Sequence, residues 1–433
     1  MTINRIRQIA ALACAAAVSA CATPDAELVY RGASVWNGGG FEVRDLAVSK
    51  GKVLSRYEED KNTHIVDIKN RFILPALANG HQHLTYPNKK NSEQFLDAGV
   101  FYVWNPNILN SVLDKEFAAF FARSDTADVK VSGGGITEKG SHPEPLYVRI
   151  LGPNVYGGKG YDELYKDAFL YGRNRDEIIE SLDQLDAVGV DFVKIYLLGS
   201  EKYEAPGPDG APNSTTGLNP ANVPFLVEQA HARNLPVVAH IETRHDFRVA
   251  VDAGVDFAGH LPGYGVASES GVEARRLTDD DIAVAVESGI KVMPTYQVGG
   301  SRAAQALAEN PEDEEAQRRA ELTMNLQRDN LERLHEAGVP VIAGTDLAPG
   351  LLRFELERWE EIGAMSRADV LKRAVATGPA LFPERKIGCL KQGCEADFIV
   401  LTANPRENLD ALDSIVARAK AGGITFLDRD KAQ

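Results

Sequence analysis

Two imidazoles separated by one residue, His81 and His83, follow the apolar run Phe72 to Leu77. Side chains at i and i+2 leave a strand end on the same side, which suits a pair gripping one metal ion. An HxH pair alone is a weak signal, because a strand-end histidine more often bonds to backbone. Further along, His240 closes Pro236-Val237-Val238-Ala239, His260 closes Val255-Asp256-Phe257-Ala258-Gly259, and Asp346 follows Ala343-Gly344-Thr345. Each is again a nitrogen or oxygen donor at the end of an apolar run. Asp346 by itself could simply cap a helix. The recurrence of such donors, in order along the chain, is what points to one shared metal site.

Lys194 lies within Phe192-Val193-Lys194-Ile195-Tyr196, in the same kind of place. An ammonium repels a cation, so Lys194 joins a metal site only as a neutral amine carboxylated by carbon dioxide. The two oxygens of that carbamate can bridge two cations. The ordinary fate of a strand-end lysine is instead a head group in solvent.

These donors require a scaffold that delivers strand ends to one face. After Pro75 the text repeats apolar strand, loop and amphipathic helix, with helices expected over Asp176 to Ala187, Val223 to Arg233 and Glu314 to Ala337. Strands are expected at 192–196, 236–240, 255–260, 290–294 and 340–344. The rhythm is that of an α/β protein with parallel strands and crossover helices, here a TIM (β/α)8 barrel over 75–384. In such barrels the active site is built at the C-terminal ends of the strands. Short alternating strands precede the barrel, and β character returns near Ile387. The segments 24–74 and 385–433 are therefore expected to pair as one small β-sandwich domain. Glu201 to Pro220, rich in Pro, Gly, Ser and Asn, reads equally as a surface loop or as a lid over the pocket.

On these residues the chain resembles the amidohydrolase superfamily, in its prolidase-like and imidazolonepropionase-like branch. The pattern of that family is HxH after the first strand, Lys after the fourth, His after the fifth and sixth, and Asp after the eighth. The matching segments are Ile73 to His83, Asp191 to Ile195, Val238-Ala239-His240, Ala258-Gly259-His260 and Ala343 to Asp346. Phe95 to Val100 and Gly388 to Asp397 match outside the metal site, so the likeness spans nearly the whole chain. Ala76 and Asn79 depart from it, standing where the family has Gly and Asp.

The resemblance implies a metal-dependent hydrolase of amide-type bonds, with a dipeptide or related small molecule as substrate. It implies two divalent metal ions, zinc by the nitrogen-rich donor set, held by His81, His83, His240, His260, Asp346 and the carbamate of Lys194. Asp346 would also be the catalytic base. His142, Tyr196, Arg244 and Tyr296 lie near expected strand ends and are candidates to touch substrate. Two alternatives stay open: a one-metal deaminase or cyclic amidohydrolase in which Lys194 is structural, and a lipid-anchored binding protein without catalysis.

The 433 residues allow one large barrel with an appended domain, and 44% hydrophobic with 25% charged residues is the balance of a globular protein. A net charge of -15 argues against nucleic acid as a partner. Arg5 and Arg7 precede an alanine-rich apolar run from Ile9 to Ala20, the pattern of a signal peptide over 1–20. Val18-Ser19-Ala20-Cys21 resembles the lipobox of bacterial lipoproteins, with Cys21 lipidated. Ala22, not being Asp, implies sorting to the outer membrane facing the periplasm. In an exported chain Cys389 and Cys394, bracketing a tight turn, are expected to form a disulfide. The oligomeric state is not legible.

Overall fold

The computed structural model describes residues 23–83, 85–203, 216–263, 268–298, 311–346 and 352–427. The expected signal peptide, the lipidation residue Cys21 and most of the Glu201 to Pro220 segment lie outside the described residues. Among the described residues no helix is long and apolar enough to cross a membrane.

The chain opens with five strands, β1 (Leu28–Trp36), β2 (Phe41–Ser49), β3 (Lys52–Leu54), β4 (His64–Asp67) and β5 (Phe72–Pro75). The ring that follows uses β6 (Leu77–Asn79), β7 (Val100–Asn105), β8 (Asp128–Val131), β9 (Gly135–Thr137), β10 (Phe169–Tyr171), β11 (Val193–Tyr196), β12 (Val237–His240), β13 (Phe257–Ala258) and β14 (Lys291–Val292). The chain then returns through β15 (Phe398–Leu401), β16 (Ile415–Lys420) and β17 (Gly423–Phe426).

The two ends do meet, as one continuous sheet in the order β17-β16-β15-β5-β1-β2-β3, with β4 also on β1. β1 carries a bulge between Tyr30 and Ala33, where Gly32 takes φ +73°. Before the bulge β1 pairs with β4, and after it with β5, so one strand serves both branches. The join between the chain ends is antiparallel, Ile73 opposite Val400 and Leu74 opposite Ile399. Along β16, Ile415, Ala417 and Ala419 point into the core while their neighbours are partly exposed, the period-two pattern of a half-buried strand. Cys389 and Cys394 are joined by a disulfide.

The ring strands form two parallel ladders, β6-β7-β8 and β10-β9-β11-β12-β13-β14. The ladder breaks where the third ring position is split at Ser132-Gly133-Gly134, Gly133 having φ +64°. Single bonds span the gaps: Asp191 N–H donates to Val131 O at 2.8 Å, and Gly80 N–H to Ala343 O at 2.8 Å. The segment around Val341 bridges to Val292, in the place of a last strand. The result is a TIM-barrel-like α/β fold with an additional sheet domain.

Helices start where the sequence supplies caps. Asn174 accepts from Glu177 N–H ahead of Arg175–Val188, and Thr243 with Asp246 forms a capping box ahead of Arg244–Asp252. Gly189, at φ +75°, ends the first of these. The core is continuous from ring to sheet, and Trp104 stacks on Phe192 with centroids 4.3 Å apart.

Candidate metal centre

β6 ends at Asn79, and the chain then turns so that His81 enters the ring interior with 1% exposure. Its Nδ1 lies 2.8 Å from Gly259 O. A carbonyl can only accept, so Nδ1 carries the proton and Nε2 keeps its lone pair for a metal. Asp346 Oδ1 stands 3.0 Å from His83 Nε2 and 3.5 Å from His81 Nε2. Donor atoms of these three residues lie within 4.8 Å of one another, a group able to hold a metal ion. Asp346 has φ +55° and its N–H donates to His81 O at 2.7 Å, so the backbone of the last ring segment is locked to the first. Burial opposes its ionisation, yet the imidazoles of His81, His83 and His260 hold its carboxyl well below the usual carboxylate range.

The second pair adjoins the first. The ring of His260 lies 4.7 Å from that of His81 and 4.6 Å from that of His240, centroid to centroid. Burial pushes His81 and His260 well below the ordinary imidazole value, against the pull of Asp346.

Lys194, on β11, is 1% exposed and its Nζ has no hydrogen-bond partner. Burial brings its amine down to about 7, against the pull of Asp346. Room for the amine depends on Gly259: a Cβ there would stand 3.0 Å from Lys194 Nζ and 2.9 Å from Ala239 O. His240 Nε2 is likewise buried without a hydrogen bond. A buried amine and a buried imidazole nitrogen without partners, among carboxylate and imidazole donors, fit a metal-binding group.

Asn79 holds the frame. Its Oδ1 accepts from His81 N–H at 3.1 Å and Thr345 N–H at 3.2 Å, and its Nδ2 donates to Thr345 Oγ1 at 2.9 Å and Gln82 Oε1 at 3.3 Å. The amide therefore ties the first and last ring segments, each carrying donors.

The structure brings His142 and Tyr196 to the cluster. The His142 ring lies 4.8 Å from that of His240 and 5.4 Å from that of Tyr196, and burial brings its imidazole down to about 3. The Tyr196 hydroxyl accepts from Asn107 Nδ2 at 2.8 Å. It does not bring Arg244 or Tyr296. Arg244 begins a helix, is 45% exposed, and directs Nε toward Asp281 of a neighbouring helix, 3.9 Å away. Tyr296 is fully buried, with its hydroxyl donated to Pro262 O at 3.3 Å, and serves as packing behind the His260 loop.

Sequence reasoning also missed supporting residues. Thr295 Oγ1 lies 2.6 Å from His260 Nδ1. Fully buried Glu355 accepts from Tyr296 N–H at 3.0 Å, Gln297 N–H at 2.6 Å and the Trp359 indole at 2.8 Å, and burial pushes it up to about 7. Glu242, two residues past His240, places Oε1 3.4 Å from His240 Nε2. The only prior signal for any of these was that i+2 spacing.

The fold and the donor set together define a metal-binding hydrolase scaffold. Residues 72–426 match the amidohydrolase family, and the chain belongs to that family, whose members hydrolyse carbon–nitrogen bonds using divalent metals. Among solved structures it is similar to a Xaa-Pro dipeptidase with bound methionine, at TM-score 0.70 and 17% identity over 92% of this chain and 100% of that one. The ochratoxinase of A. niger gives TM-score 0.70 and 18% identity over 93% and 96%. A putative prolidase from Bifidobacterium longum gives 0.68 and 18% over 93% and 96%. No curated protein matches the sequence.

Proposed function

We propose that this protein is a two-metal hydrolase of amide bonds in small molecules, dipeptides foremost. The observation that carries the reading is Lys194 Nζ, buried without a hydrogen bond against Gly259, the residue before His260, and brought down to about 7. A neutral amine is the form that attacks carbon dioxide, its nitrogen bonding to the carbon and giving up a proton, and as a carbamate Lys194 would bridge two ions. His81 and His83 would hold one ion with Asp346, and His240 and His260 the other. Zinc suits this set of donors. When bound, the ions supply hydroxide near neutral pH and polarise the scissile carbonyl.

Asp346 is held ionised, so it is the group that takes the proton of the attacking water and returns it to the departing nitrogen. His142 and Tyr196 flank His240, on the side where substrate would lie. The structural likeness to a dipeptidase, a prolidase and an ochratoxinase supports an amide substrate. A closed (β/α)8 ring is part of this reading, as is export with a lipid anchor on Cys21 in the outer membrane. Membrane fractionation of Cys21→Ala beside the wild type tests the anchor.

A one-ion deaminase or cyclic amidohydrolase is the second reading. It is favoured by one fact: among the described residues only His81, His83 and Asp346 form a close donor group. Elemental analysis of the mature protein, with Lys194→Ala and Asp346→Ala beside it, decides. Two ions per chain, falling on loss of Lys194, support the two-metal hydrolase, and a 13C carbamate signal after growth on labelled bicarbonate places the modification. One ion indifferent to Lys194 favours the second reading. No metal from replete growth refutes both.

A further inference from the structure

Glu242 is the acidic side chain beside the metal-ligand cluster that the mechanism does not use. It follows His240 by two residues at the end of β12, so both side chains leave the strand end on the same side. Its Oε1 lies 3.4 Å from His240 Nε2, yet that nitrogen makes no hydrogen bond. The side chain keeps 32% of its surface exposed, like His83 at 31% and unlike neighbouring His240 at 10%. Among the described residues no lysine or arginine lies within ion-pair distance of it, whereas the exposed acidic groups of the neighbouring helices carry such partners: Asp252 and Asp280 both pair with Arg248. Its backbone is fixed, because Glu242 N–H donates to buried Asp246 Oδ2 at 3.2 Å, the same oxygen that takes Thr243 N–H at 2.9 Å. A partly exposed carboxylate on a fixed backbone beside the cluster, with Arg275 acting on it only from beyond ion-pair distance, is arranged to receive a cation from outside.

We propose that Glu242 determines specificity by binding a positively charged group of the substrate, an ammonium close to the scissile bond. The inference rests on the amide-hydrolase reading and adds the charge that the substrate carries. The chain's net charge of -15 would favour approach of such a substrate over an anionic one.

The test uses the mature metal-loaded protein, wild type and Glu242→Gln, with one dipeptide in two forms, free at its amino end and N-acetylated. Wild type is expected to favour the free form by about 10-fold or more in kcat/KM, as a hydrogen bond to a charged group allows. Glu242→Gln should lose that preference through a rise in KM for the free form alone, with metal content unchanged. Equal use of both forms by wild type, or a preference that survives Glu242→Gln, overturns the proposal and leaves the amide reading standing. Loss of metal in Glu242→Gln also overturns it, making Glu242 a ligand. Failure of wild type to cleave or to bind either form, the latter followed by calorimetry, overturns the proposal together with the reading of amide substrates.

Discussion

His260 Nδ1 and the Thr295 hydroxyl meet at 2.6 Å, a contact that orients the His260 ring. For His260 to serve as a ligand through Nε2, as proposed, Nδ1–H would donate to Thr295 Oγ1. Thr295 holds φ +49°, a region that a β-branched residue rarely enters. It stays there because buried Glu355 accepts the next two backbone N–H groups, those of Tyr296 and Gln297. Thr295→Val keeps the shape and removes the acceptor. Its affinity for the ion at His240 and His260 should fall about 10- to 100-fold, while Thr295→Ser stays near wild type. Competition against a graded chelator measures both.

Asn79 occupies the family's Asp position and uses both ends of its amide. Asn79→Ala would leave the buried N–H groups of His81 and Thr345 without their side-chain acceptor. A loss of about 2–3 kcal/mol in urea denaturation is expected. Asn79→Asp keeps both acceptors and should lose less.

Acid should weaken the metal-free fold through His142. Burial brings its imidazole down to about 3, against 6.5 for an ordinary histidine. Between those values the unfolded chain binds a proton that the folded chain refuses. Stability from this group is therefore complete above 6.5 and is lost progressively as pH falls toward 3. Inside the window the slope approaches about 1.4 kcal/mol per pH unit. Urea midpoints between neutral pH and pH ~4.5 should fall less steeply for His142→Gln than for wild type.

Tyr102, on β7, donates its hydroxyl to Asp397 Oδ2 at 2.5 Å across the joint between ring and sheet. The same carboxylate takes Ala421 N–H at 2.6 Å. Tyr102→Phe leaves one carboxylate oxygen in this buried joint short of a donor and should cost about 1–2 kcal/mol, read as a lower melting temperature.

Much of this molecule is legible in the sequence because the donors sit where periodicity ends. His81, His83, His240, His260 and Asp346 close apolar runs, and parallel strands carry such ends to one face. Lys194 was singled out by its place in the family pattern, since a strand-end lysine ordinarily keeps its head group in solvent, and the structure finds it buried. Strand-end position does not say which way a side chain turns, and that is why Arg244 and Tyr296, read as candidates, stand away from the donor cluster. The cap at Thr243 starts Arg244 on an outer helix, and a left-handed Thr295 precedes the inward Tyr296. Glu355 was invisible because its partners are backbone groups 58 and 59 residues away. The branching of β1 between β4 and β5 was not legible because a bulge, unlike a strand, leaves no period.

The pairing of β5 with β15 also constrains how the protein is made. Ile73 and Leu74 leave the ribosome early, but their partners Val400 and Ile399 come only after the whole ring has been synthesised. Until then the strand edge at Phe72–Pro75 is open and apolar, a template for pairing with other chains. A nascent chain must be shielded at this edge until its last strands arrive, and a truncation before Phe398 would leave it open permanently.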